Sequence, residues 1–216
     1  MRTKFGLTLI LALISMLAVG NAVYAAMLQK SPMSTLPNRE KIAGTETMLV
    51  RNADSVEVTI NTKGLMPDWA YTVWWIIFHH PENCVEGCGA DDLDREDVDG
   101  AAFWATGGLA DKNGNATFTA QLNARELPSG DDQVMKDKTG GIGLMDTMTE
   151  IHVVVRTHGK QIAGMVDKQI STLNAGCPPN QCANEQFAVF EPLTSVTPVQ
   201  PRGKLATTWG KIKQGQ

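Results

Sequence analysis

Two close pairs of cysteines are the first residues here that could do chemistry. Cys84 and Cys88 stand in "CVEGC", and Cys177 and Cys182 in "CPPNQC". Cysteines at such spacings hold zinc, exchange electrons or close disulfides. Neither pair has the Cys-x-x-Cys spacing of a thioredoxin-like redox site, and both gaps exceed the two-residue zinc knuckle. The chain opens with what reads as an export signal, and an even cysteine count in an exported chain reads as disulfides. The expected bridges are local, Cys84–Cys88 and Cys177–Cys182. The competing connectivity crosses between the motifs. It would follow if the strand ending near Cys84 and the strand starting after Cys182 were antiparallel neighbours.

The four histidines are the candidates for a copper or zinc site. His79 and His80 are adjacent, so on a strand they point to opposite faces. His152 and His158 share a face but lie six residues apart, about 20 Å along an extended strand, with His158 in the turn "THGK". No His-x-His places two ligands on one strand face. A metal centre would therefore need His79 or His80 to converge with His152 or His158 from another strand. The simpler reading is four strand-end histidines, hydrogen-bonded or solvated.

Acidic density is the third signal. Asp91, Asp92, Asp94, Glu96, Asp97 and Asp99 crowd into "DDLDREDVDG", and calcium takes six to eight oxygens from such loops. The EF-hand register fails, because no glycine falls at the sixth position and no glutamate closes the loop. A solvated acidic loop is the expectation and calcium the alternative. Trp69, Trp74, Trp75 and Trp104 could line a ligand surface, although Trp74 and Trp75 face opposite sides of one strand. No Gly-x-Ser-x-Gly elbow occurs, and "GGIGLMD" lacks the lysine and the strand–turn–helix setting of a phosphate loop. Nothing pulls toward an enzyme.

The compartment is written at the start. Arg2 and Lys4 precede the apolar run "FGLTLILALISMLAV", and Val23 and Ala25 occupy the positions signal peptidase needs small, so residues 1–25 read as a signal peptide cleaved after Ala25. No cysteine stands at the cleavage point to take a lipid, and no later segment is apolar enough to cross a bilayer. The expected location is periplasmic or extracellular. Removing the signal takes two of 19 basic residues and no acid, leaving 17 against 23, a net −6. That balance argues against nucleic acid as a partner.

The elements that must position these residues read as strands. In "SVEVTIN", Val56, Val58 and Ile60 alternate with Glu57 and Thr59, a half-buried strand. Tyr71 to Phe78 is apolar on both faces and so central. "GAAFWATGGLA" and "ATFTAQLN", joined by "DKNGN", read as a hairpin, with Asn113-Gly114 supplying the turn. "EIHVVVRTHG" and "KQIAGMVDKQI" read as a further pair, and "EQFAVFE" as a last strand. "LNARELPSGDDQVMKDKTGGIGLMD" is a long connection. The expected organisation is a loose lead-in over 26–47, one all-β antiparallel sandwich over 48–191, and a basic tail over 192–216 able to meet an anionic envelope surface.

Leu65, Pro67, Tyr71 and Val73 in "GLMPDWAYTVWW" have the order found at a tyrosine corner, and this resembles fibronectin-type and immunoglobulin-like domains. The resemblance implies a tyrosine bonded back to the preceding turn, fixing the crossing between two sheets. The stretch through "HHPENC" and "CGADDL", with "NGNATFTAQL" and "QFAVFEP", also resembles a group of exported bacterial proteins with no assigned activity. It implies compartment and fold but no chemistry. The function expected is an exported sandwich that binds a ligand or serves structurally, with no cofactor. The alternative is a copper- or zinc-binding protein or metal-dependent enzyme built on the strand-end histidines.

Overall fold

The computed structural model describes residues 26–52, 54–123, 133–135 and 149–193. The expected signal peptide, nearly all of the basic tail and most of the long connection lie outside these residues. Among the described residues, ten strands form two antiparallel sheets facing each other. Four of them, in the order β1 (Met27–Ser31), β3 (Glu46–Arg51), β4 (Ser55–Thr62) and β7 (Ala116–Asn123), make one sheet. The other runs β2 (Ser34–Thr35), β10 (Ala183–Phe190), β9 (Glu150–Lys160), β5 (Trp69–Phe78), β6 (Gly100–Leu109) and β8 (Gln133–Met135). The fold is an all-β sandwich.

Side-chain alternation decides which face each strand buries. Val56, Val58 and Ile60 of β4 and Phe118 and Leu122 of β7 point inward from the smaller sheet. They meet Tyr71, Val73, Trp75 and Ile77 of β5, with Ile151, Val153 and Val155 of β9, from the larger one. Fully burying such a side chain is worth about 1.5–3 kcal/mol, so this interior is the main stabilising mass. At its edge the backbone N–H of Met66 donates to Tyr71 Oη at 2.9 Å. That bond pins the turn before β5 to the strand itself, as a tyrosine corner does.

Several expectations need correcting. The lead-in is not loose: β1 pairs with β3, β2 pairs with β10, and Met33 between them is fully buried. Both are short edge strands with a single neighbour each, so they carry little periodic signal. The "DKNGN" turn does not close a hairpin. Asp111 and Asn115 pair across it, but β6 and β7 then diverge into different sheets. Gly114 accepts from Leu65 N at 3.0 Å, which ties the turn to the corner rather than to a ladder. "KQIAGMVDKQI" is no strand. β9 is paired on both sides by β5 and β10, and the chain after it leaves the sheet and forms one short helix, α1 (Val166–Gln169).

The larger sheet is apolar on both faces, and its outer face is covered at each end by an excursion. Residues 79–99, between β5 and β6, fold over one end, where Cys88 and Val98 pack on Phe78. Residues 161–182 fold over the other. There Trp104 Nε1 donates to Ile170 O at 3.2 Å, and buried Gln169 donates to the carbonyls of His158 and Lys160. Both excursions rest on glycines of β6. A Cβ on Gly100 would stand 2.7 Å from the Leu93 backbone, and one on Gly107 would overlap the Ile170 carbonyl.

Candidate functional site

Between the 79–99 excursion and the segment 31–41 around β2, the outer face of the larger sheet stays open as a groove of about 560 Å³. That size lies within the range of small-molecule pockets. Register builds its floor. Phe187 of β10 lies beside Val154 of β9, and in the next row His152 sits between Ile76 of β5 and Val189 of β10. Ile76, Val154, Phe187 and Val189 are all only partly buried, so the floor is apolar and accessible. The Cys84–Cys88 loop, through Cys88 and Leu93, forms one wall.

The polar groups are few. His152 Nε2 donates to Glu150 Oε1 at 2.6 Å, with both side chains largely buried, and the imidazole meets Phe78 edge-on at 5.1 Å between centroids. Across the groove, Arg39 and Lys41 supply positive charge. The Arg39 guanidinium lies 5.9 Å over the Phe187 ring, a cation–π contact that holds the charge above the apolar floor. Glu191 lies at the end of β10, where the chain leaves the sheet.

A second constellation lies under the other excursion. His158 is fully buried and accepts at Nε2 from Thr72 Oγ1 at 3.0 Å, while Thr72 Oγ1 accepts from Trp74 Nε1 at 2.8 Å. Its Nδ1 donates to Ala175 O at 2.9 Å and lies 3.6 Å from Cys182 Sγ. Burial, with the Arg156 charge nearby, lowers the pKa of this imidazole. The ring is therefore the neutral Nδ1–H tautomer, satisfied on both sides.

The disulfides are Cys84–Cys88 and Cys177–Cys182. Cross-pairing fails on topology. β10 neighbours β9 rather than β5, so it runs in the same direction as β5, and Cys182 sits at the end opposite Cys84. The four histidines do not gather into the copper or zinc centre that stood as the alternative reading. His79 is buried, His80 is exposed beside Glu82 at 3.4 Å, and His152 and His158 occupy separate sites. His158 lies in β9, not in a turn. Among the described residues, the group of three His, Cys, Asp or Glu side chains that converges is His158 with Cys177 and Cys182.

The acidic loop brings no three carboxylates within coordinating reach. Arg95 sits instead between Asp92 and Asp97, at 3.0 and 2.8 Å, and these two partners raise its pKa. Asp92 also accepts from Gly89 N, while Asp91, Asp94 and Glu96 face solvent and Asp99 is buried. These four tryptophans do not share one surface: Trp75 is core, Trp69 packs against the core and lines a smaller cleft with Lys160 and Glu185, and Trp74 and Trp104 lie beneath the 161–182 excursion. Sequence reasoning missed Arg39, Lys41, Val154 and Phe187. The available signal was the apolar outer face of β5, β9 and β10, which implied something lying over it. Comparison with protein-family profiles, curated proteins and solved structures finds no match to this chain.

Proposed function

We propose that this protein is an exported binding protein whose groove takes an amphipathic organic anion, with an apolar body on the sheet and an acidic head at Arg39 and Lys41. One observation carries this reading. In a chain of net negative charge, Arg39 and Lys41 stand together at one side of an uncovered apolar floor, while Glu150 is held by His152 and Glu191 lies at the end of β10. Such a concave, mostly apolar site with a few placed polar groups is the usual form of a small-ligand pocket. The His152–Glu150 pair adds a fixed polar anchor. Among the described residues no helix is long and apolar enough to cross a membrane. Two disulfides fit an oxidising compartment, and together with the leader-like start they support export.

Dodecanoate tests the reading, with dodecyltrimethylammonium as the charge-reversed control, each titrated by calorimetry. The anion is expected to bind once per chain and the cation not at all. Arg39→Ala with Lys41→Ala should weaken binding at least tenfold, about 1.4 kcal/mol, and Val154→Glu should abolish it. Equal binding of both amphiphiles, or no dependence on these residues, removes the proposal.

A further inference from the structure

We propose that Cys177, Cys182 and His158 form a redox-gated zinc site, closed as a disulfide in the oxidised protein and opened by a dithiol reductant. The ligand atoms are already together. His158 Nδ1 and the two sulfurs lie within 4.8 Å of one another, and Nδ1 stands 3.6 Å from Cys182 Sγ. A tetrahedral zinc with Zn–S near 2.3 Å and Zn–N near 2.05 Å separates sulfur from nitrogen by about 3.6 Å. The two Cα atoms are 5.8 Å apart, so side-chain rotation alone can part the sulfurs to the roughly 3.8 Å that two thiolates on one zinc require. Three protein ligands leave a fourth position for water.

The surroundings of His158 supply what a metal-bound imidazole needs. A ligating histidine commonly donates its other ring N–H to a fixed acceptor, which sets tautomer and orientation. Thr72 Oγ1 stands 3.0 Å from Nε2 and is itself held by Trp74 Nε1. In the disulfide state the proton is on Nδ1 and bonded to Ala175 O. In the metal state it is on Nε2 and donated to Thr72 Oγ1, whose second lone pair still accepts from Trp74. The same frame holds the ring in either tautomer, but the Thr72 hydroxyl proton must then turn to a new acceptor and the Ala175 carbonyl, which lies along the Nδ1 direction at 2.9 Å, must swing aside to admit the metal.

The chemistry balances in two steps. A dithiol delivers two electrons and two protons, breaking the Sγ–Sγ bond to give two thiols, and is itself oxidised to a cyclic disulfide. The ring proton exchanges through solvent from Nδ1 to Nε2, and zinc then displaces both thiol protons, which leave to solvent, and takes the Nδ1 lone pair so freed. Cys84 and Cys88 offer no equivalent, because no histidine or carboxylate completes a group of three with them among the described residues.

The test uses the whole exported chain with Cys84→Ser and Cys88→Ser, reduced by dithiothreitol that is then removed without oxygen. Titration with Co2+ should give one ion per chain, a thiolate-to-cobalt charge-transfer band and the visible bands of tetrahedral cobalt, all displaced by Zn2+. The oxidised protein should give none of these. His158→Gln should weaken Zn2+ binding more than 100-fold, and Thr72→Val by 10- to 100-fold. If these variants misfold, alkylation of the reduced natural chain decides. Zn2+ should then protect Cys177 and Cys182 and leave Cys84 and Cys88 open to iodoacetamide. Absence of the charge-transfer band, a band unchanged in folded His158→Gln, or equal protection of all four thiols would overturn the site.

Discussion

Tyr71 shows how much one side chain contributes at a sheet crossing. Its ring lies in the core, fully buried, and its hydroxyl takes the Met66 N–H. Burial first, then the negative charge of Glu185, pushes its pKa up to about 12. The sign follows directly. The folded state holds the phenolic proton between pH 10 and about 12 while the unfolded state releases it, so stability falls as pH rises through that window. The sequence has two tyrosines, and Tyr24 lies in the expected signal peptide. Without residues 1–25, Tyr71 therefore reports alone. Phenolate absorbance of that chain should titrate near 12 when folded and near 10 in denaturant. Tyr71→Phe should lower the unfolding free energy by about 1–3 kcal/mol, by leaving the Met66 N–H without its partner. An unshifted titration and an unchanged denaturation midpoint would together mean that the hydroxyl does not hold the corner.

The elements show which parts of the fold the sequence exposed and which it hid. Alternation in β4 and β7 was readable, because Val56, Val58, Ile60, Phe118 and Leu122 each face one core across a half-exposed sheet. β5 read as central because it is apolar on both faces, and it does lie between β6 and β9. The covering of its outer face was not legible. Residues 161–182 hold to the sheet mainly through side chain-to-backbone hydrogen bonds, such as those of Gln169, Asn180 and Arg156, and these have no periodicity. The groove was hidden for the same reason. Its cations come from a segment without pattern, and its floor residues come together only through the pairing of three strands. Gly107 marks the contact that no pattern announces. Its conformation is ordinary, but the Ile170 carbonyl occupies the space of a Cβ. Gly107→Ala should force the 161–182 excursion off β6 and cost about 1–3 kcal/mol, the usual scale of overpacking. Faster amide exchange confined to 161–182 would be the mark of that displacement. A fully protected excursion in the variant would show that the contact relaxes at little cost.

At the scale of the molecule, the question is whether the disulfides or the sandwich hold the fold. Each bridge closes a short loop, four residues of separation for Cys84–Cys88 and five for Cys177–Cys182. Loop-closure entropy assigns such a bridge about 2 kcal/mol. The interior is far larger, with Trp75, Tyr71, Phe103, Phe190 and Ile151 all essentially inaccessible. Polar contacts also tie the two sheets together. Arg51 of β3, almost wholly buried, donates to Thr149 O just before β9 at 2.9 Å, and Thr62 of β4 bonds Gln186 of β10. The sheets should therefore unfold as one unit whether or not the cysteines are oxidised. Reduction should lower the denaturation midpoint by the equivalent of about 2 kcal/mol per bridge, keep a single transition, and preserve the near-ultraviolet dichroism of the buried tryptophans. Dodecanoate binding should suffer more than stability does, because Cys88 and its loop form a wall of the groove while contributing little to the main core. Loss of the tryptophan signal on reduction would reverse the order of importance: the excursions would then be clamped on by their bridges, and the larger sheet could not keep an uncovered outer face.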